Sequence, residues 1–169
     1  AREIGEELVV LAESSKDPVH HTHAQFCVGM AEHCLANFST ASAHMRTGIS
    51  YYRPEHHSEH ITRYGIDLGV FTQSFVTQSI WFTGLPSQAL QMSTKALSLA
   101  QELDHPFSLS MALGYAAMFH QIRGDVEQTY KLATETVEVS DEHQFVYYGA
   151  WGKILRAWAL AMQGNGNQS

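Results

Sequence analysis

The chain has 169 residues, enough for one compact core or about four stacked helix pairs. Ten Lys and Arg against seventeen Asp and Glu give a formal charge of −7, and the four lysines form no basic run, which excludes a surface that tracks phosphates or an anionic membrane. With no signal peptide and no apolar run near the roughly 20 residues of a membrane span, the expectation is a cytoplasmic single domain over 1–164 with a disordered tail over 165–169.

Ile4, Leu8 and Leu11 fall at helical spacing, with Glu6 and Glu7 turned outward, and predict a helix from Ala1 to about Ser14. Asp17 suits an N-cap and Pro18 the first position of a helix to about Ala36, because proline has no N–H to leave unpaired there. On that helix Cys27 and Cys34 stand seven apart, a rise of about 10 Å, too far for a disulfide, and read as reduced, buried thiols. Asn37 and Phe38 form a turn into a helix from Ser39 to about Tyr52, with Ala41, Met45 and Gly48 facing inward. The polar, histidine-rich stretch RPEHHSEHITRYGI, residues 53–66, then interrupts the pattern. Five further helices follow over about 67–83, 86–103, 106–123, 126–141 and 145–163, with Pro86 and Pro106 at starts and Asp125 as a cap. No segment alternates with period two for long, so no strand is expected.

Gly84, Gly124 and Gly164 are 40 residues apart, and Thr77, Ala117 and Ala157 precede them by seven each. A fixed step of this size predicts stacked pairs: helix A, a tight turn at the glycine, then helix B. The insert lengthens the step from Gly29 to Thr77 to 48 residues. The chain opens on an unpaired B-type helix and closes on an unpaired A-type helix, as a segment of a longer solenoid would.

Small residues in mid helix A (Gly29, Thr77, Ala117, Ala157), early in helix B (Ala41, Ala89, Thr129) and seven later (Gly48, Ala96, Thr136) resemble the tetratricopeptide repeat. The phrases YYRPEHH, RYGIDLGV, LPSQALQMSTKALSLAQELDHPFSLSMALGYAAMFHQIRGD and WGKILRAWALAMQG resemble the repeat region of bacterial multidomain proteins that join an adenylate/guanylate cyclase or a regulatory ATPase to a helical solenoid. The pattern departs at Leu68, where proline is usual, and at Thr129, where alanine is usual. The resemblance, from about Phe26 to Gly164, implies an all-α, right-handed superhelical stack of antiparallel pairs, about three and a half repeats of a tetratricopeptide-like α-solenoid. It further implies a sensing or scaffold segment of a signalling protein, any cyclase or ATPase chemistry lying on another domain.

The residues themselves offer little chemistry. No glycine-rich loop carries a lysine for phosphate, and no GxSxG turn frames a nucleophile. His20, His21 and His23, and again His56, His57 and His60, cluster without an HExxH arrangement, so they read as solvated histidines. No catalytic residue, cofactor or metal is assigned, and no enzyme activity, nucleic acid or membrane partner is expected.

In solenoids of the family resembled, A helices line the concave wall. Carried over position by position, the groove comprises His23, Phe26, Met30 and His33, then Phe71, Ser74, Gln78 and Trp81, then Met111, Gly114, Met118 and Gln121, and finally Trp151, Ile154 and Trp158. Such a wall would bury a peptide, a protein segment or a neighbouring domain of the same polypeptide. Against this stands packing of the same side chains between adjacent helices. A small-ligand sensor relaying to an attached cyclase or ATPase, a metal-binding helical enzyme, and pairing of two copies through terminal helices are the other readings; the insert 53–66 is a further contact loop to consider.

Overall fold

The computed structural model describes residues 2–166, with side chains over 2–164. Among these residues there are nine α-helices, one 3-10 turn and no strand: α1 Arg2–Ser15, α2 Pro18–Cys34, α3 Phe38–Tyr51, the turn Pro54–His56, α4 His57–Tyr64, α5 Leu68–Phe82, α6 Pro86–Glu102, α7 Pro106–Ile122, α8 Val126–His143 and α9 Val146–Gly166. The all-α class and eight of the helices agree with the sequence reading. Residues 53–66, expected to be irregular, instead hold the 3-10 turn and α4. Gly164 closes no turn, because α9 runs on to Gly166; that takes in two residues of the expected tail, and 167–169 lie outside the described residues.

Helix starts follow from local chemistry. The Asp17 carboxylate accepts the Val19 N–H at 2.9 Å, Asp67 accepts that of Val70 at 2.8 Å, and Asp125 that of Gln128 at 3.3 Å, satisfying donors an N-terminus leaves unpaired. His105 caps α7 in the same way, its Nδ1 accepting from the Ser108 N–H at 3.3 Å. Helix ends fall at residues with left-handed φ. These are Lys16, Ala36, Gly65, Gly84, Asp104, Gly124 and Gln144, with φ of 56°, 62°, 72°, 77°, 49°, 75° and 61°. From Gly84 to Gln144 they recur every 20 residues. At Ala36, Gly84 and Gly124 the residue's N–H donates to the carbonyl three back and the next N–H to the carbonyl five back, so the three turns share one geometry.

The structure divides into two compact units, Ala1–Ala96 and Leu97–Ser169, with the division inside α6. In the first, α2 and α3 pack antiparallel, and glycines set how closely. A Cβ on Gly29 would meet Met45 Cγ at 2.5 Å and the Ala41 carbonyl at 3.0 Å, while one on Gly48 would meet the Thr22 carbonyl at 3.1 Å. Met45 is thereby fully buried, a contribution of about 1.5–3 kcal/mol for such a side chain. Packed around it the core holds Val19, Phe26, Val28, Val70, Val76 and Ile80.

In the second unit α7, α8 and α9 pack antiparallel in sequence. Ser110 Oγ lies 2.7 Å from Ser140 Oγ across α7 and α8, and a Cβ on Gly152 would meet Val137 Cγ2 at 3.0 Å across α8 and α9. The core is Leu113, Ala116, Ala117, Leu132, Ala133 and Leu155. Thr129 and Thr136, buried where alanine would do, satisfy their hydroxyls on the Asp125 and Leu132 carbonyls, both at 2.7 Å. Thus the small residues of the sequence pattern are buried at helix contacts, apart from Ala157, which is exposed.

Candidate functional site

In the first unit an open cleft of about 750 Å³ lies between α1 and α2. Gly5 brings the two helices together, a Cβ there lying 2.9 Å from Val28 Cγ2. Away from that point they part, and Ile4, Leu8, Met30, Ala31 and Leu35 present apolar walls. At the rim Arg2 Nε lies 3.1 Å from buried Glu32 Oε1, whose other oxygen accepts from Asn37 Nδ2 at 2.6 Å. Cys27 and Cys34 line the cleft as free thiols; Cys34 is exposed, contrary to the buried pair expected. Cys27 Sγ lies 3.5 Å from His23 Nε2, but burial pushes the thiol up and, with the His20 charge, the imidazole down. Both shifts favour the neutral thiol and the neutral imidazole.

Of the fifteen residues expected in one groove, eight belong to the first unit and seven to the second. The four on α2 part company. Met30 opens on the cleft, and His23 lines a second concavity of about 350 Å³ with Leu8, Leu11, His20 and Tyr64. Phe26 and His33 turn to α5, where the Phe26 ring tilts against Phe71 at 4.7 Å between centroids and His33 Nδ1 lies 2.8 Å from Ser79 Oγ. Burial holds the His33 imidazole below its ordinary value.

Ser74 and Gln78 on α5 are buried, with the Ser74 hydroxyl and Gln78 amide nitrogen lacking a hydrogen-bond partner, and Trp81 is half-buried. In the second unit Met111 is 0 % exposed. Gly114 is covered by Trp151, whose ring would come within 3.1 Å of a Cβ there. Met118 and Trp151 pack on the core, Gln121 and Trp158 are half-buried, and Ile154 is 66 % exposed. Phe26, Ser74, Gln78 and Met111 are thus buried and Gly114 is covered by Trp151, and their spacing suits a helix contact as well as a groove.

A polar cluster that sequence reasoning missed ties the insert to the first unit. Asp67 is 0 % exposed and uses both oxygens: Oδ1 caps α5, while Oδ2 accepts from the Tyr52 hydroxyl at 3.0 Å and lies 2.9 Å from His57 Nδ1. Burial first, then the Asp67 charge, pushes the Tyr52 phenol well above its ordinary value. His60 is 0 % exposed, neither ring nitrogen has a hydrogen-bond partner, and its ring tilts against Tyr52 at 5.4 Å. It is a core histidine, not the solvated one expected. The available signal was the Glu59–Arg63 pair one helical turn apart followed by Gly65, which together describe a short helix with a left-handed cap.

At the helix's far end Arg63 Nη1 donates to Asp17 Oδ2 at 2.9 Å and lies 2.8 Å from His20 Nε2. Burial raises the Asp17 carboxyl, but the Arg63 and Val19 hydrogen bonds and the neighbouring positive charges outweigh it and hold the group below the usual carboxylate range. Among the described residues no group of three or more His, Cys, Asp or Glu is disposed to hold a metal ion, and no helix is long and apolar enough to cross a membrane. No model of a known protein family matches the chain, and no curated protein matches it.

Proposed function

We propose that this chain is a recognition module that docks an extended or helical peptide segment in the apolar cleft between α1 and α2. The observation that carries this reading is the cleft itself: about 750 Å³ walled by Ile4, Leu8, Met30, Ala31 and Leu35, with Arg2, paired to Glu6 and Glu32, at its rim. Apolar walls supply affinity, and Arg2 at the rim orients the segment. Of the tetratricopeptide-like concave groove, Met30 is the residue retained here. The even spacing of left-handed turns and the buried small residues support a tetratricopeptide-like scaffold for this module. In this reading the chain has no chemistry of its own and serves a signalling protein of the cytoplasm.

The cleft's volume falls in the range of small-molecule sites, which supports sensing of an apolar ligand and relay to an attached cyclase or ATPase domain as the second reading. Selection from a displayed random-peptide library separates the two. Peptides with apolar anchors at helical or alternate spacing should be enriched on the native protein and lost on Met30→Glu. A library that yields nothing, or binders indifferent to Met30→Glu, would overturn peptide docking.

A further inference from the structure

Helix α4 is held to the first unit by a few polar and ring contacts. His57 and Tyr52 meet on Asp67 at the start of α5, Arg63 reaches Asp17 at the start of α2, and the Tyr64 ring lies 4.3 Å from that of His23 in α2. Its single buried residue is His60, fully enclosed with both nitrogens unpartnered. A neutral imidazole in that position leaves one donor and one acceptor unmade; an imidazolium would leave a charge with no acceptor on either N–H.

We propose that α4 is an acid-sensitive latch, in which protonation of His60 releases the Pro54–Tyr64 segment from α2, α3 and α5. The charged and titratable groups around His60 come from every element near it. Tyr52 follows α3, and His56, His57, Glu59 and Tyr64 belong to the insert itself, while Asp67 caps α5. Burial lowers the His60 value most, His56 and His57 lower it further, and Asp67 and Glu59 raise it, with a net lowering. His57 Nδ1 lies 2.9 Å from Asp67 Oδ2, a contact that helps hold the segment in place. A charge on His60 would go unpaired where it stands, because neither of its ring nitrogens reaches an Asp67 oxygen, and those oxygens are bonded to Val70, Tyr52 and His57.

A group whose value is lowered on folding contributes full docking above its free value, and the contribution falls as pH drops below it. With a free histidine near about 6.5, docking weakens by at most about ten-fold per pH unit, a ceiling of about 30-fold at about pH 5. Release would also remove Tyr64 from the wall of the concavity of about 350 Å³ and uncover half-buried His23, whose ring it faces.

Amide hydrogen exchange of the full chain tests this at about pH 7 and about pH 5, corrected for the intrinsic rate. Amides of α4 should lose protection, by up to about 30-fold, relative to those of α7 and α8, and His60→Phe should abolish that loss. An equal loss in His60→Phe, or none in the native protein, would overturn the latch. Should His60→Phe not fold, imidazole NMR of the native protein decides. His60 is to stay neutral until the α4 signals move to unfolded positions; an imidazole that titrates while α4 stays docked contradicts the proposal.

Discussion

The ring of Tyr52 occupies the space that a side chain on residue 69 would need: a Cβ on Gly69 would lie 2.4 Å from Tyr52 Cε2 and 2.5 Å from Cζ. Glycine at 69 thus lets the phenol lie against the first turn of α5 and reach the buried Asp67 carboxylate. Gly69→Ala must displace the ring and lose that hydrogen bond, at a cost of about 3 kcal/mol. Tyr52→Phe keeps the packing and loses only the bond, at about 1.5 kcal/mol. Urea unfolding of the two variants should rank them in that order, and equal costs would mean that the ring contact is not constraining.

Ala36 stands where Gly84 and Gly124 stand in the later turns, with the same hydrogen bonds but φ of 62° and a Cβ that the left-handed region disfavours. Ala36→Gly should therefore stabilise the protein, by about 0.5–1 kcal/mol. Gly84→Ala and Gly124→Ala should each destabilise by a similar amount through backbone strain alone, since nothing lies within 4 Å of a Cβ at either position. Thermal melts of the three variants give the signs directly.

How much of this was legible in the sequence depends on how local the cause is. Asp17 with Pro18, Asp125, Pro86 and Pro106 mark helix starts because capping is decided within a few residues. Gly84 and Gly124 mark turns, yet Gly164 does not: glycine permits a left-handed residue without requiring one, and α9 continues through it. Helix α4 went unread because seven of its eight residues lie outside the core and the eighth, His60, is buried by Tyr52 beside Asp67, a pairing only the fold supplies. The groove residues show a related limit of sequence reading. Periodicity identifies the apolar face of α2 or α7 but not what covers it, and Phe71 and Trp151 cover Phe26 and Gly114.

Ser110 and Ser140 pair at 2.7 Å inside the second unit. Removing one hydroxyl strands the other, whereas removing both leaves only a small void. Ser110→Ala alone should cost about 1 kcal/mol, and the double alanine variant should cost less than the sum of the singles by at least about 0.5 kcal/mol. A double-mutant cycle on unfolding free energy measures the coupling.

Tyr148 is buried, and burial first, with Tyr147 beside it, pushes its phenol from 10.0 up to about 12. A value raised on folding means that the stabilisation is complete below the unfolded value and declines as pH rises through it. Denaturation midpoints should hold below about pH 10 and fall as pH climbs towards about 12, and Tyr148→Phe should blunt the fall. Identical alkaline profiles for the two proteins would remove Tyr148 from the account.

The central claim is that a peptide segment occupies the α1–α2 cleft, and Cys34, exposed on its wall, reports on that directly. The measurement is the rate of maleimide addition to Cys34 in a Cys27→Ala background, with and without a saturating selected peptide. The account expects the bound peptide to slow the reaction by about ten-fold or more through burial of the cleft. An unchanged rate with peptide demonstrably bound would contradict it.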